Sequence, residues 1–440
     1  MRFIFILFVL ISSLAQGQTK LVKTGLSEGT IKYNNLNRSG SVDKFSSMNL
    51  SNSDSLELKK IITAAGDTVA PISAYRIFNE VNGTLTVDTL LNIRKQYAFN
   101  YLRKDHFGLL TFGNDGLTYQ SLDPNFVTYN NVINFGFNAR RFSYLNKEDI
   151  NYYSVPTPVS ELLYRSVTDK GQNLDALIAL NISEQFNVFL GYRGLRSQGK
   201  YRSQMASNGN FRFGSSYFTK NKRYQFKNHI TFQDITNEEN GGMLNVAEFD
   251  TSDAPFDNRL QINNQFADAI TQFKGIRTYL DHSFQFNKSE TNKALIRHQF
   301  TYEYFSNLYQ QQNYKPFQNR TAYLGEAFST GIHDKVRHKR FENTVDLAFD
   351  SKAIGLFAVG VGAYNFIHEY QSIVFDENAN KIPNRLKDDV VTLGGSYVFN
   401  SKHVLADIVF KQAVIGRSMT DLNINAAFNV NERYGIEATY

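Results

Sequence analysis

The chain has 440 residues, with 47 Lys and Arg against 41 Asp and Glu, a formal net charge of +6 and no cysteine. Without cysteine there are no disulfides, thiolate metal sites or cysteine nucleophiles, and the small charge excess, with no dense Lys/Arg patch, argues against nucleic acid. The 37 Phe and 25 Tyr beside no Trp and 7 Pro, at a mean hydropathy of -0.37, suit strands that alternate apolar and polar residues between aromatic girdles.

Residues 1–17 read as a signal peptide: Met1 and Arg2, an apolar run over 3–14, then small Ala15 and Gly17 before a cleavage site at Gln18. No cysteine stands at that site, so a lipoprotein anchor is excluded. No later apolar run approaches the roughly 18 residues of a membrane helix. Residues 18–70, rich in Ser, Asn, Thr, Lys and Gly, read as a flexible periplasmic lead-in. Residues 71–150 form an N-terminal β segment, with a hairpin of 74–80 and 84–90 around Asn82-Gly83 as a type I′ turn. Its stretch 97–150 shows no clear period. The N-terminal segment is too short and too polar for a TonB-box-and-plug domain.

Residues 151–440 carry transmembrane strands. Tyr224, Phe226, Ile230 and Phe232 alternate with Gln225, Lys227, His229 and Thr231. The same period of two sets Ile276, Leu280, Phe284 and Phe286 against Arg277, Asp281, Ser283 and Gln285. It recurs with Phe341, Val345, Leu347 and Phe349 against Glu342, Thr344 and Asp346, and again over 421–428. Successive side chains of a strand point to opposite faces, so one face is apolar and the other polar. Short polar turns at 182–185, 219–223, 287–293, 351–353, 400–402 and 429–432 alternate with longer links at 197–207, 235–273, 306–340, 367–388 and 413–420. Outer-membrane barrels have this asymmetry, with short periplasmic turns and long outer loops. The expected fold is all-β, a transmembrane antiparallel β-barrel of outer-membrane type. About thirteen strands of about 9 to 12 residues follow Val159. The last, 433–440, runs outward after a periplasmic turn, so the barrel is expected to be incomplete at the C-terminus.

The polar face supplies the candidate site. Arg212, Gln225, Lys227, Gln233, Arg277, Asp281, Gln285, Arg297, Gln299, Glu303, Asp346 and Asn425 are expected to line a wet lumen whose mixed charges select solutes. The competing reading is a lumen filled by side chains or a plug. His333, Asp334 and His338 fall in an expected loop, where solvated charges explain them better than a metal. His282 and Ser283 lie on opposite faces of one strand, so they cannot form a catalytic pair. Gly360 and Gly362 sit inside a strand pattern and precede no helix, which removes a nucleotide loop. No catalytic residue, metal ligand or cofactor is expected.

The segments YAFNYLRKDHFGLLTFGNDGLTYQSL (97–122), INYYSVPTPVSELLYRS (150–166), YRGLRSQGKYRSQMASNGNFRFGSSY (192–217) and HITFQDITNEENGG (229–242) resemble the putative porin family of Bacteroidota outer membranes, over roughly residues 70–440. The resemblance implies an outer-membrane barrel for passive uptake and brings no catalytic residues. Relatives usually run beyond residue 440. The expected partners are outer-membrane lipid, small polar solutes and the barrel-assembly machinery; nucleic acid is not among them, and the oligomeric state stays open. The rival reading is a scaffold or adhesin that binds through loops 235–273 and 306–340.

Overall fold

The computed structural model describes residues 61–62, 68–80, 83–88, 92–93, 96, 99–103, 109–122, 135–167, 170–251, 253–313, 331–401, 404–416, 422–430 and 434–439. The expected signal peptide lies outside the described residues, as does most of the expected lead-in. Within the lead-in, β1 (Ile61–Ile62) and β2 (Thr68–Val69) pair as a minimal hairpin. The segment that follows is short of regular structure. β3 (Arg76–Asn79) and β4 (Gly83–Thr86) make the expected hairpin, with Asn79 paired to Gly83. Asn82 of the expected Asn82-Gly83 turn lies outside the described residues; Gly83 has a left-handed φ of +66°. β5 (Leu109–Thr111) pairs with β6 (Tyr119–Ser121), and β7 (Tyr152–Ser154) adds to the far side of β3.

The remainder is one antiparallel sheet of thirteen strands in sequence order. They are β8 (Val159–Val167), β9 (Gly171–Ser183), β10 (Phe186–Ser197), β11 (Ala206–Phe218), β12 (Tyr224–Glu239), β13 (Ala269–Gln285) and β14 (Asn292–Gln311), then β15 (Ile332–Ser351), β16 (Gly355–Tyr370), β17 (Arg385–Asn400), β18 (Val404–Ile415), β19 (Leu422–Val430) and β20 (Tyr434–Thr439). β8 and β20 are its two edges and do not pair with each other among the described residues. The short turns fall where the alternation placed them, and the long links all lie at the other end. The links are shorter than expected, at 240–268 and 312–331 rather than 235–273 and 306–340, because β12–β15 run on past the apolar stretches. β14 and β15 stay in register over all 20 residues, whereas about 9–11 tilted residues cross a bilayer. Beyond the hydrocarbon the ladder no longer needs an apolar outer face, so hydropathy stops marking the strand before its hydrogen bonds do. His333, Asp334 and His338 accordingly lie in β15 and not in a loop, with His333 and His338 on opposite faces.

The two faces differ as the period of two requires. Phe213, Ile230, Phe232, Phe341, Val345, Leu347, Val359, Val361 and Leu393 stand exposed on the outer face, where water would make such a surface unfavourable and lipid does not. Near the short turns the outer face becomes aromatic: Phe186 packs on Tyr217, Tyr217 on Phe226, and Phe226 on Tyr224, with ring centroids 5.5–6.4 Å apart. Phe284 and Phe286 continue this band, and the Arg223 guanidinium lies 5.1 Å over the Phe284 ring. These are the features of an interfacial girdle. His282 also faces outward and shares a hydrogen bond of 2.9 Å with His298, while Ser283 faces in.

A charge on the outer face is expected to cost far more than one at the rim. Phe232→Lys, in the middle of β12, should lose roughly 2–4 kcal/mol of folding free energy in lipid, and Phe286→Lys, beside the short turn, about 1 or less. Urea titration in vesicles measures both, and equal losses would remove the assignment of this face to lipid.

Candidate functional site

Over β9–β15 the inner face of the sheet is polar and largely buried, because the N-terminal segment lies across it. Three apolar contacts hold the segment there. Leu145, Ile150, Tyr152, Tyr153 and Val155 pack on Leu177, Ala179 and Phe189. Phe135 and Tyr144 pack on Ile235, Phe273, Phe305 and Val336. Tyr101, Leu102 and Tyr119 pack on Leu195 and Ala206. Gly275 makes room for this arrangement: a Cβ there would stand 2.6 Å from the Tyr144 ring.

Between these contacts run ion pairs. In the turn between β3 and β4, Glu80 reaches the wall. Its Oε1 lies 3.0 Å from Lys227 Nζ and 3.3 Å from Arg297, and accepts from the Tyr279 hydroxyl at 2.8 Å. Lys227 and Arg297 also hold Asp281, at 3.1 and 2.6 Å. Burial opposes the Glu80 charge, but Lys227 and Arg297 outweigh it and hold the carboxyl below its usual range. One level over, Arg277 is fully buried. It donates to the Leu145 carbonyl at 2.7 Å, to Glu303 at 3.3 Å and to His229 Nε2 at 3.0 Å. A guanidinium only donates, so His229 carries its proton on Nδ1 and shares it with the Tyr152 hydroxyl at 2.7 Å. Glu303 in turn takes Arg340 at 2.5 Å. Asn146 and Asp149 close a capping box, fixing the turn from which Lys147 approaches Glu342 at 3.9 Å.

The expected pore-lining residues are therefore on the predicted face but, for the most part, not in water. Lys227, Gln233, Arg277, Asp281, Arg297, Gln299 and Glu303 are buried. Their partners explain why: Gln233, for example, exchanges two hydrogen bonds with the Leu145 backbone. Arg212 is bound to Asp175 at 2.8 Å. Gln285 donates to the carbonyls of Asn287 and Ser289 and so ties the turn of 286–291. Gln225 and Asp346 are half-buried on the inner face. Asn425 pairs in register with Val409, and its side chain lies outside the described residues. The structure brings Lys227, Asp281 and Arg297 into one cluster and Arg277 with Glu303 into another. Sequence reading missed Glu80, Lys147, Asp175, Arg193 and His229. Asp175, Arg193 and His229 were within reach, since each holds an inward position on a strand. Glu80 and Lys147 sit in turns, where no period marks a face. Among the described residues, no three His, Asp or Glu side chains converge as a metal-binding group.

A thirteen-stranded antiparallel sheet with a lipid-facing exterior and a polar, ion-paired interior defines an outer-membrane barrel. Residues 71–440 match the family described as "Putative porin"; the chain belongs to that family and is a porin-like barrel of the outer membrane. A comparison with curated proteins returned no match. Among solved structures, the crystal structure of the ferric citrate transporter FecA in the unliganded form is similar over 64% of this chain and 40% of that one, at 11% identity and a TM-score of 0.36. BauA, the ferric preacinetobactin receptor from Acinetobacter baumannii, is similar over 64% of this chain and 43% of its own, at 10% identity and a TM-score of 0.34. The chain spans less than half the length of either.

The ionic anchor at Glu80 has a direction with pH. Its carboxyl is held below its usual range, so its contribution is complete above about pH 5 and fades as pH falls through the lowered value. Protease cleavage between residues 71 and 157 should rise on acidification below about pH 4. Glu80→Gln should raise cleavage at neutral pH, by weakening docking about 3 kcal/mol or less, and should flatten the acid response. An unchanged cleavage rate in Glu80→Gln at neutral pH would show that Glu80 does not anchor the segment.

Proposed function

We propose that the chain is a channel for passive passage of small polar solutes, narrowed by its own N-terminal segment. The observation that carries this reading is the division of the sheet into an apolar outer face and an inner face that is polar and charged from β9 to β15, giving way to apolar packing around Tyr364, Phe366 and Val390 on β16 and β17. A barrel that served only as a scaffold has no need of ionisable side chains across the inner face of seven successive strands, β9–β15, where each must find a partner at a cost. Outer-membrane lipid surrounds the barrel, and the work is done by lining and not by bond-making chemistry. The segment sets how much of the lumen is open, because it covers the inner face of β9–β15 through the three apolar contacts and the Glu80 and Lys147 ion pairs.

Planar-bilayer recording on folded full-length protein tests the reading. Discrete, ohmic steps are expected, and Glu80→Gln should raise their size or frequency by loosening the segment. Absence of steps from protein that is shown to be inserted and heat-modifiable would favour a scaffold that binds through the links at 240–268 and 312–331.

A further inference from the structure

We propose that Asp175, Arg193 and Arg212 on the wall, with Arg103 from the segment, form a binding site for a small solute bearing an oxyanion, a carboxylate or a phosphate. The inference rests on the reading of the barrel as a solute passage and names a solute class for it. Three guanidiniums surround one carboxylate. Asp175 lies 2.8 Å from Arg212, 3.2 Å from Arg193 and 3.9 Å from Arg103. Glu161 bonds Arg103 from a position where 54% of its side chain is exposed. Three arginines against two carboxylates leave one positive charge over.

The surplus lies in specific atoms. One terminal nitrogen each of Arg103 and Arg212 is buried without an acceptor among the described residues. Beside them Asn173 and Asn210 are 1% and 0% exposed, and both ends of each amide lack a partner among the described residues. The hydroxyl of Thr231, also 1% exposed, lacks one too. These side chains form a contiguous patch. Arg193 pairs in register with Asp175 on one side and Asn210 on the other; Thr231 pairs with Arg212; Asn173 is the next inward residue before Asp175. Gly191 lets Arg212 lie flat toward Asp175, since a Cβ there would meet its Nε at 2.7 Å. Buried polar groups are nearly always paired, and a cluster of exceptions points to a missing partner. Guanidinium forks match the geometry of carboxylate and phosphate, and the amides and hydroxyl supply bonds to hydroxyl groups on the same solute. The two carboxylates are already engaged, so a cation finds no free acceptor charge.

Isothermal titration of the folded full-length protein in detergent at low salt tests the site, with gluconate and inorganic phosphate as probes. Saturable binding of one equivalent is expected, weakening as salt rises. Binding of gluconate alone assigns a hydroxy-carboxylate, and of phosphate alone a phosphorylated solute; either supports the site. Arg212→Gln should weaken binding about tenfold, the loss of one charge-assisted hydrogen bond. Asn210→Ala, which leaves every charge in place, should weaken gluconate several-fold and gives the readout if Arg212→Gln fails to fold. No saturable binding of either probe, or equal affinity in the variants, would mean that the unpaired atoms hold water only and would overturn the proposal. Titration needs no membrane. A barrel that binds but does not conduct would retain the site and lose the passage, and one that conducts without binding would do the reverse.

Discussion

Hydrocarbon offers no partner to a backbone N–H or C=O, so a chain that crosses a bilayer as strands must pair every strand with a neighbour. The long in-register ladders of β9–β18 meet that demand. Once they do, side-chain geometry follows. Alternate residues face lipid and must be apolar, and the rest face inward. The inward residues here are Asn, Asp, Arg, Lys, Glu, Gln and His to an extent that no soluble core would accept. Their burial is tolerable only because the segment brings partners to them.

Two kinds of contact divide the work of docking that segment. The apolar clusters around Tyr153, Phe135 and Tyr101 remove surface from water without regard to direction. The ion pairs add little net stability, since desolvation offsets much of the attraction, but they penalise any misplacement that strands a charge. Glu80 is a clear instance. The wall offers Lys227 and Arg297 against Asp281 alone, an excess of one positive charge, and the β3–β4 turn delivers one carboxylate to that point. Lys147 approaches Glu342 in the same way from a capped turn.

The fold was legible because its causes are local in sequence. The alternation of Tyr224, Phe226, Ile230 and Phe232 with Gln225, Lys227 and Thr231 fixes a face without reference to any other strand. The alternation of short and long connections fixes which end each turn occupies. The lumen was not legible in that way. The pattern puts Arg277 and Lys227 on the inner face, but whether that face meets water depends on Leu145 and Glu80, more than a hundred residues away in a stretch without a period. Strand ends were misjudged for a related reason: His333 and His338 lie where both faces of the ladder carry polar residues, and the hydropathy signal vanishes while the hydrogen bonds continue.

The fit between segment and wall is uneven, and the unevenness is informative. Across β12–β14 the segment meets the buried charges, although Thr231, Asn237 and Asn307 each keep an oxygen without a partner among the described residues. Arg277 spends its donors on His229, Tyr144, Glu303 and the Leu145 carbonyl, and Gln233 is bonded at both ends of its amide. Across β9–β11 its described residues pass over Asn173 and Asn210 without bonding either. A polypeptide carries as many backbone donors and acceptors as it has residues, so leaving two amides unmet is not a shortage of partners. It is a matter of distance and shape. Across these strands the segment accepts from Arg193 and Asn208, but among the described residues it bonds neither of these two amides. A wall selected only to hold the segment would have apolar residues at 173 and 210, as it does at Leu177 and Ala179 beneath Tyr153. The amides make physical sense if something other than the segment also bonds to that part of the lumen.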